Sequence, residues 1–287
     1  MYSRRDLAKI ALGAFSAGRL VAKPNSTIRG VNVGIQSRSF RDRTLDEALA
    51  AMVRVGIEYC ELWEGHVVPP RLSRKGLREW RETIAIEQFQ LISSSFAKAG
   101  LKILAYNYDF DEDFSDRETE RGFEMAKALG TTMITASAPP SMAKRLNALA
   151  AKAGMAVGLR NRDGTTPGDL SSPEDLAAAM RGNSSIGIGL DLGDFAAAGY
   201  DAVQFITGHL DHTLAVYLRD RKKDHGESVP FGQGNTPLAA VLKLIQGKKA
   251  TIPAMIDYDY KGPDPVAAVE RCYAFCRQVL TAKPTRP

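Results

Sequence analysis

The chain has 287 residues, 44% of them hydrophobic and 25% charged, a balance that fits a folded globular protein and excludes a disordered one. Its net charge of +5 and pI near 9.0 come partly from the two ends of the chain, and no clustered basic face with interleaved aromatics marks a nucleic-acid partner. No segment supplies the roughly 18 unbroken apolar residues of a membrane span, so no membrane partner is expected for the mature form.

The first 26 residues read as an export segment. Ser3-Arg4-Arg5-Asp6-Leu7-Ala8-Lys9 resembles a twin-arginine motif, followed by the short apolar run from Ile10 to Ala17. The expected location is periplasmic or otherwise exported; the alternative is a cytoplasmic protein with a basic N-terminus.

From residue 27 to 281 apolar strand-like runs alternate with amphipathic stretches, the pattern of a parallel sheet built from βαβ units. Strands are predicted at Gly30–Ile35, Tyr59–Trp63, Leu101–Tyr106, Thr132–Ala136, Met155–Leu159, Ile186–Leu190, Leu214–Leu218 and Ala254–Ile256. Helices are predicted at Thr44–Val55, within Leu77–Ala99, at Arg117–Leu129, Ser141–Ala153, 173–181, Asp201–His209, Pro237–Ile245 and Val266–Leu280. Ser172 reads as the N-cap of the helix after the fifth strand, with Pro173 in its first turn and Asp175 three residues on. Eight units at a spacing of roughly 30 residues predict an α/β fold, a closed (β/α)8 TIM barrel of one domain, with 282–287 as a tail.

Three cysteines, Cys60, Cys272 and Cys276, form no disulfide framework, and the last two belong on the buried stripe of the final helix. Active sites of such barrels lie at the C-terminal ends of the strands. The residues there are Glu61, Trp63 and His66 after strand two, and Tyr106, Tyr108, Asp109 and Phe110 after strand three. Arg160, Asn161, Arg162 and Asp163 follow strand five, and Asp191 and Asp194 follow strand six. Tyr217, Arg219, Asp220 and Arg221 follow strand seven, and Asp257 and Asp259 follow strand eight. This polar convergence predicts a hydroxyl-rich or anionic small ligand. The aromatics at the mouth suit either sugar stacking or packing, and Gly232-Gln233-Gly234 either substrate gripping or a tight turn. His209, His212 and His225 read as surface or helix-end groups, and His66 as the imidazole placed for substrate contact.

Four stretches carry a family resemblance. Leu190-Asp191-Leu192-Gly193-Asp194-Phe195-Ala196-Ala197-Ala198-Gly199-Tyr200-Asp201 resembles LD-x-GHF-x-AAGYD, and Tyr217-Leu218-Arg219-Asp220-Arg221 resembles HLKDR. Pro230-Phe231-Gly232-Gln233-Gly234-Asn235-Thr236 resembles PFG-x-GDT, and Ile256-Asp257-Tyr258-Asp259-Tyr260-Lys261-Gly262 resembles IEYEYKG. These are motifs of the xylose isomerase-like TIM barrels, the sugar phosphate isomerase/epimerase type. The resemblance implies a small carbohydrate substrate and a divalent ion, Mn²⁺ or Mg²⁺, held by a carboxylate, an Asp, a His and a Glu at the ends of strands five to eight.

The departures concern that ion. Asp191 keeps the strand-six Asp, but Tyr217 stands at the His position, Asp257 at the Glu position, and Arg160-Asn161-Arg162 where relatives carry HNH. Asp191 and Asp257 therefore remain as ligands of a weakened or lost metal site. Two arginines that cannot ligate stand beside them, able instead to replace the ion's charge or clamp an anion. The resulting expectation is an isomerase or epimerase that moves a proton next to a carbonyl, with Glu61 and Asp257 as catalytic carboxylates. His66, Arg160, Asn161, Arg162, Tyr217 and Arg219 are expected as substrate contacts. The alternatives are a non-catalytic carbohydrate- or anion-binding barrel, and a lyase or hydratase on oxidised sugars.

Overall fold

In the computed structural model the described residues are 23–283, apart from 167 and 263. The twin-arginine motif lies outside them. Eight parallel strands close a barrel: β1 (Val31–Gln36), β2 (Tyr59–Trp63), β3 (Lys102–Asn107), β4 (Met133–Ala136), β5 (Ala156–Arg160), β6 (Ile186–Asp191), β7 (Thr213–Leu218) and β8 (Ala254–Ile256). The seam closes on β1, which pairs with β2 through Gly34↔Tyr59 and Gln36↔Glu61 and with β8 through Gly34↔Met255 and Ile35↔Ile256. A two-residue strand, Thr27–Ile28, adds antiparallel to β1, and Ser26 before it is fully buried, its hydroxyl accepting the Glu58 N–H at 2.9 Å.

Ten α-helices surround the barrel among the described residues: α1 (Leu45–Val55), α2 (Arg74–Thr83), α3 (Glu87–Lys98), α4 (Asp116–Leu129), α5 (Ala143–Ala153), α6 (Pro173–Met180), α7 (Leu192–Ala197), α8 (Ala202–Gly208), α9 (Leu238–Lys248) and α10 (Pro265–Thr281). Local chemistry sets many of their ends. Thr44 and Glu47 form a reciprocal capping box at the start of α1, and Gly56 ends it in the left-handed region at φ 84°. Ser172 and Asp175 make the predicted box on α6, with Pro173 in its first turn.

Two stretches differ from expectation. The segment read as one helix from 77 to 99 is two, because Ile84 turns out of the helical region at ψ 134° and its carbonyl accepts a hydrogen bond from Arg121. After β6 the chain enters α7 at once, since the Asp191 side chain caps it by accepting the Asp194 N–H at 3.0 Å; α8 follows separately.

Period-two alternation gives each strand two faces. The outward set, among them Val33, Ile35, Cys60, Leu62, Val157, Leu159, Ile188, Leu190, Val216 and Leu218, is buried under the helices. At roughly 1.5–3 kcal/mol for each large apolar side chain, this layer carries most of the driving force for closure. The inward set is polar towards the C-terminal ends and small below: a β-carbon on Gly34 would meet Met255 Sδ at 2.4 Å, and one on Gly189 would meet the Tyr217 ring at 3.0 Å. Those glycines make room for the large side chains that fill the lumen.

Candidate functional site

Two side-chain contacts, Tyr217 with Glu61 and Arg160 with Asp257, cross the lumen between strands that are not neighbours in the sheet. The Tyr217 hydroxyl on β7 donates to Oε2 of Glu61 on β2 at 2.6 Å. Arg160 at the end of β5 donates through Nη2 to Oδ2 of Asp191 at 2.6 Å and to Oδ2 of Asp257, just beyond β8. The Arg160 guanidinium lies 4.0 Å from the centre of the Tyr217 ring. A stack of Asp pair, guanidinium, phenol ring and glutamate thus runs down the barrel axis.

Arg219 doubles the charge compensation. Its Nη2 donates to Oδ2 of Asp257 at 2.8 Å and lies 3.5 Å from Oδ2 of Asp191, while Nη1 donates to Asp194 at 3.2 Å. Arg221 joins Asp194 to the loop after β5, donating through Nη1 to Asp194 at 2.6 Å and to Asp163 at 2.9 Å. Asp191, Glu61, Tyr217 and Asp257 are at most 1% exposed.

Their electrostatics diverge. Burial raises the Glu61 carboxyl to about 7, because the hydrogen bond from Tyr217 and the charge of Arg160 only partly offset the lost hydration. Burial also pushes Asp257 up, but Arg219 and Arg160 outweigh it and hold that carboxyl well below the usual carboxylate range. Burial and the neighbouring Glu61 raise the Tyr217 phenol well above its ordinary value, so it stays a donor. Four buried polar atoms here have no partner among the described residues: Glu61 Oε1, Thr135 Oγ1, Asp257 Oδ1 and Arg219 Nε.

The residues expected at the site divide into two groups. Glu61, Arg160, Asp191, Tyr217, Arg219 and Asp257 converge. Arg162 lines a polar cavity of about 290 Å³ above them, with Thr165, Thr166, Arg221, Ser228 and Asp259.

Asn161 is spent differently from expectation. It is fully buried and pairs twice with the Asp191 backbone, accepting N–H at 2.7 Å and donating to C=O at 3.1 Å, so it extends the β5–β6 ladder and fixes Asp191 rather than facing a ligand. His66 also departs from expectation. Its Nδ1 meets the Ser37 hydroxyl at 3.0 Å and its Nε2 the Phe40 carbonyl at 3.2 Å, which leaves neither ring nitrogen for substrate. Tyr106, Tyr108 and Phe110 are buried in the layer between barrel and helices, where Tyr106 packs 6.1 Å from Phe89 of α3, centroid to centroid. His212 and His225 are exposed, and His209 ends α8 stacked on Phe205.

The Gly232–Gly234 loop is built around a protein carboxylate. Asp220 is buried and accepts the N–H groups of Gly232 at 2.8 Å, Gly234 at 3.0 Å and Thr236 at 3.2 Å. These amides hold Asp220, so the tight-turn reading prevails over substrate gripping. The same loop covers a short ribbon, Asp220–Arg221 paired with Ser228–Val229, that roofs one side of the mouth.

Comparison with known proteins identifies the architecture. The family model described as xylose isomerase-like TIM barrel matches residues 49–278. The chain belongs to that family. No curated protein matches it in sequence. Among solved structures, 3-keto-D-glucoside 4-epimerase from E. coli superposes with a TM-score of 0.66 at 14% identity, over 86% of this chain and 99% of that one. The probable 3-DHS dehydratase from Bacillus anthracis gives a TM-score of 0.66 at 12% identity, over 88% and 100%. The IOLI protein, solved with a bound zinc atom, gives 0.62 at 15%, over 88% and 96%. At such identities these three structures share the fold with this chain.

Among the described residues no group of three or more His, Cys, Asp and Glu side chains is placed to hold a metal ion, and no helix is long and apolar enough to cross a membrane. Thr135 went unnoticed in the sequence. Its inward phase on a four-residue strand was the available signal, weak because so short a run shows little alternation.

Proposed function

We propose that this xylose isomerase-like barrel acts on a small sugar or sugar derivative at its C-terminal mouth, moving a proton on and off a carbon next to a carbonyl, with Glu61 as the group that carries it. The supporting observation is the Glu61 carboxyl, raised by burial to about 7, the condition for a group that serves as base in one direction and acid in the other at neutral pH. Its Oε2 is held by Tyr217, and Oε1 is free of protein partners among the described residues. Asp257 was the second carboxylate expected to act on the proton. Held ionised by two guanidinium groups it is a weak base, and its role in this reading is to orient Arg160 and Arg219.

Those arginines would meet the negative charge that grows on the carbonyl oxygen as the proton leaves. Among the described residues Arg160 makes hydrogen bonds only through Nη2, which leaves Nε and Nη1 as donors. The cavity above mixes donors with acceptors, Arg162, Thr165, Thr166 and Ser228 against Asp163 and Asp259, a lining suited to a polyhydroxylated ligand. The name of the 3-keto-D-glucoside 4-epimerase structure supports a carbohydrate class. The donor set does not fit Mn²⁺ or Mg²⁺: Oδ2 of both Asp191 and Asp257 is already paired with guanidinium groups, which offer an ion no lone pair.

The test is solvent exchange. The full-length protein, incubated in D₂O with a panel of ketoses, ketoglycosides and aldonic acids, should wash out the proton next to the carbonyl in at least one of them by NMR, and E61Q should slow this by about a hundredfold or more. Binding of a panel member without exchange would replace the catalytic reading with a carbohydrate- or anion-binding barrel, which the complete enclosure of Glu61 favours. Exchange accompanied by loss of water would make the chain a dehydratase.

We also propose export by the twin-arginine route, on the motif around Arg4 and Arg5. Replacing both by lysine should retain a reporter fusion in the cytoplasm; an unchanged location would remove this reading.

A further inference from the structure

The family resemblance places a divalent ion among side chains at the ends of β5 to β8. In this chain the atom shared by the Asp191 and Asp257 carboxylates is Nη2 of Arg160, bonded to Oδ2 of each. Nη2 of Arg219 approaches the same two oxygens at 3.5 and 2.8 Å. The two Asp residues come from β6 and from the end of β8, so the pair of guanidinium groups ties together strand ends that the sheet itself does not pair.

Arg160 is held there from the other side as well, by the face of Tyr217 at 4.0 Å. Withdrawing it would leave two almost fully buried carboxylates with one guanidinium between them, a costly state. A guanidinium is permanently protonated and donates only, so it neutralises the carboxylates while excluding an ion from between them. Arg160 also stands at the end of β5, one of the four strand ends that hold the ion in the family resemblance, and it brings a positive charge there instead of a lone pair.

We infer that Arg160 is a built-in cation that has taken the place of the divalent ion, so that the folded site is independent of metal, and that the single change R160E returns ion binding to the Asp191–Asp257 pair. This rests on the mouth being the functional site, as proposed above, and not on turnover.

The experiment uses the full-length protein and R160E, purified without chelators, with free Mn²⁺ followed by EPR during titration and melting temperature recorded with Mn²⁺ and with EDTA. The parent is expected to bind no stoichiometric Mn²⁺ and to melt at the same temperature in both. R160E is expected to bind one equivalent at least about tenfold more tightly than the parent and to melt higher with Mn²⁺. Stoichiometric Mn²⁺ binding by the parent that D191N abolishes would overturn the inference, and so would a folded R160E that binds no Mn²⁺.

R160M covers the case in which R160E does not fold. It should bind no Mn²⁺ and lose stability relative to the parent as pH rises and the carboxylates ionise without their partner. Parent-like stability at every pH would overturn the built-in cation. A parent that binds no Mn²⁺ yet exchanges no substrate proton would leave this inference standing and sink the proton-transfer reading alone.

Discussion

Glu61 and Asp257 are both buried carboxylates at one barrel mouth; burial raises both, and they end apart because their partners offset it unequally. Glu61 faces a neutral phenol and rises to about 7; Asp257 faces two guanidinium groups and falls. The consequences for stability have opposite signs. In the unfolded chain a glutamate titrates near ~4.3, so between there and about pH 7 the folded protein binds the extra proton and stability falls as pH rises, by on the order of 3 kcal/mol in all. Asp257 contributes stability that is present above about pH 4 and is lost as pH falls through its lowered folded value. Urea denaturation from about pH 4 to about pH 8 should therefore show a downward slope in the parent that E61Q removes. Parallel curves for the two proteins would mean that Glu61 is not held protonated in the fold.

At the scale of elements, the mouth is assembled by loops that use protein groups as templates. Asp220 gathers three backbone N–H groups of the 232–236 loop, and Arg221 beside it bonds the Gly226 and His225 carbonyls, Asp163 and Asp194. One residue thus organises the roof and the next fastens it to the loop after β5 and to α7. The loop must come close: a β-carbon on Gly234 would meet Asp220 Oδ1 at 2.1 Å and the Arg221 carbonyl at 2.6 Å. We expect G234A to cost about 1–3 kcal/mol by overpacking, and D220A a similar amount by stranding three donors. Because both act on one contact, the double variant should cost less than the sum, measured by chemical denaturation as a double-mutant cycle. Additive losses would show that Asp220 and Gly234 are not a unit.

Over the whole molecule, closure brings the ends of the barrel sequence together at the β1 seam. Cys60 lies on β2 on one side of that seam, while Cys272 and Cys276 lie on α10, which packs against α1 and β8. Burial raises all three thiols, strongly so for Cys60 and Cys276 and to about 12 for Cys272. Few thiolates are therefore available while the barrel is closed. Ellman's reagent should leave all three untouched in the native protein and label them in one phase that coincides with loss of circular dichroism in urea. Earlier release of one class would show that the seam opens separately from the rest.

What could be read along the chain were the features that depend on near neighbours. Strand positions fell within a residue or two of those observed, the Ser172–Asp175 cap formed as the local pattern required, and Arg160, Asp191, Tyr217 and Asp257 stood at successive strand ends. Partner choice was not legible. Tyr217 and Glu61 are 156 positions apart and Arg160 and Asp257 are 97, and each pair meets only because a closed barrel turns the ends of opposite strands towards one axis. The phase of alternation was equally a tertiary matter: Tyr106 lies within, and Tyr108 just beyond, a strand whose inward set is Ala105 and Asn107, so they pack outward, away from the mouth. Asn161 and His66 were placed near the site by position, then taken up by partners that only folding brings beside them, the Asp191 backbone for one and the Ser37 hydroxyl and Phe40 carbonyl for the other. A polar side chain in a desolvated interior takes the partner that geometry offers, and sequence order does not contain that geometry.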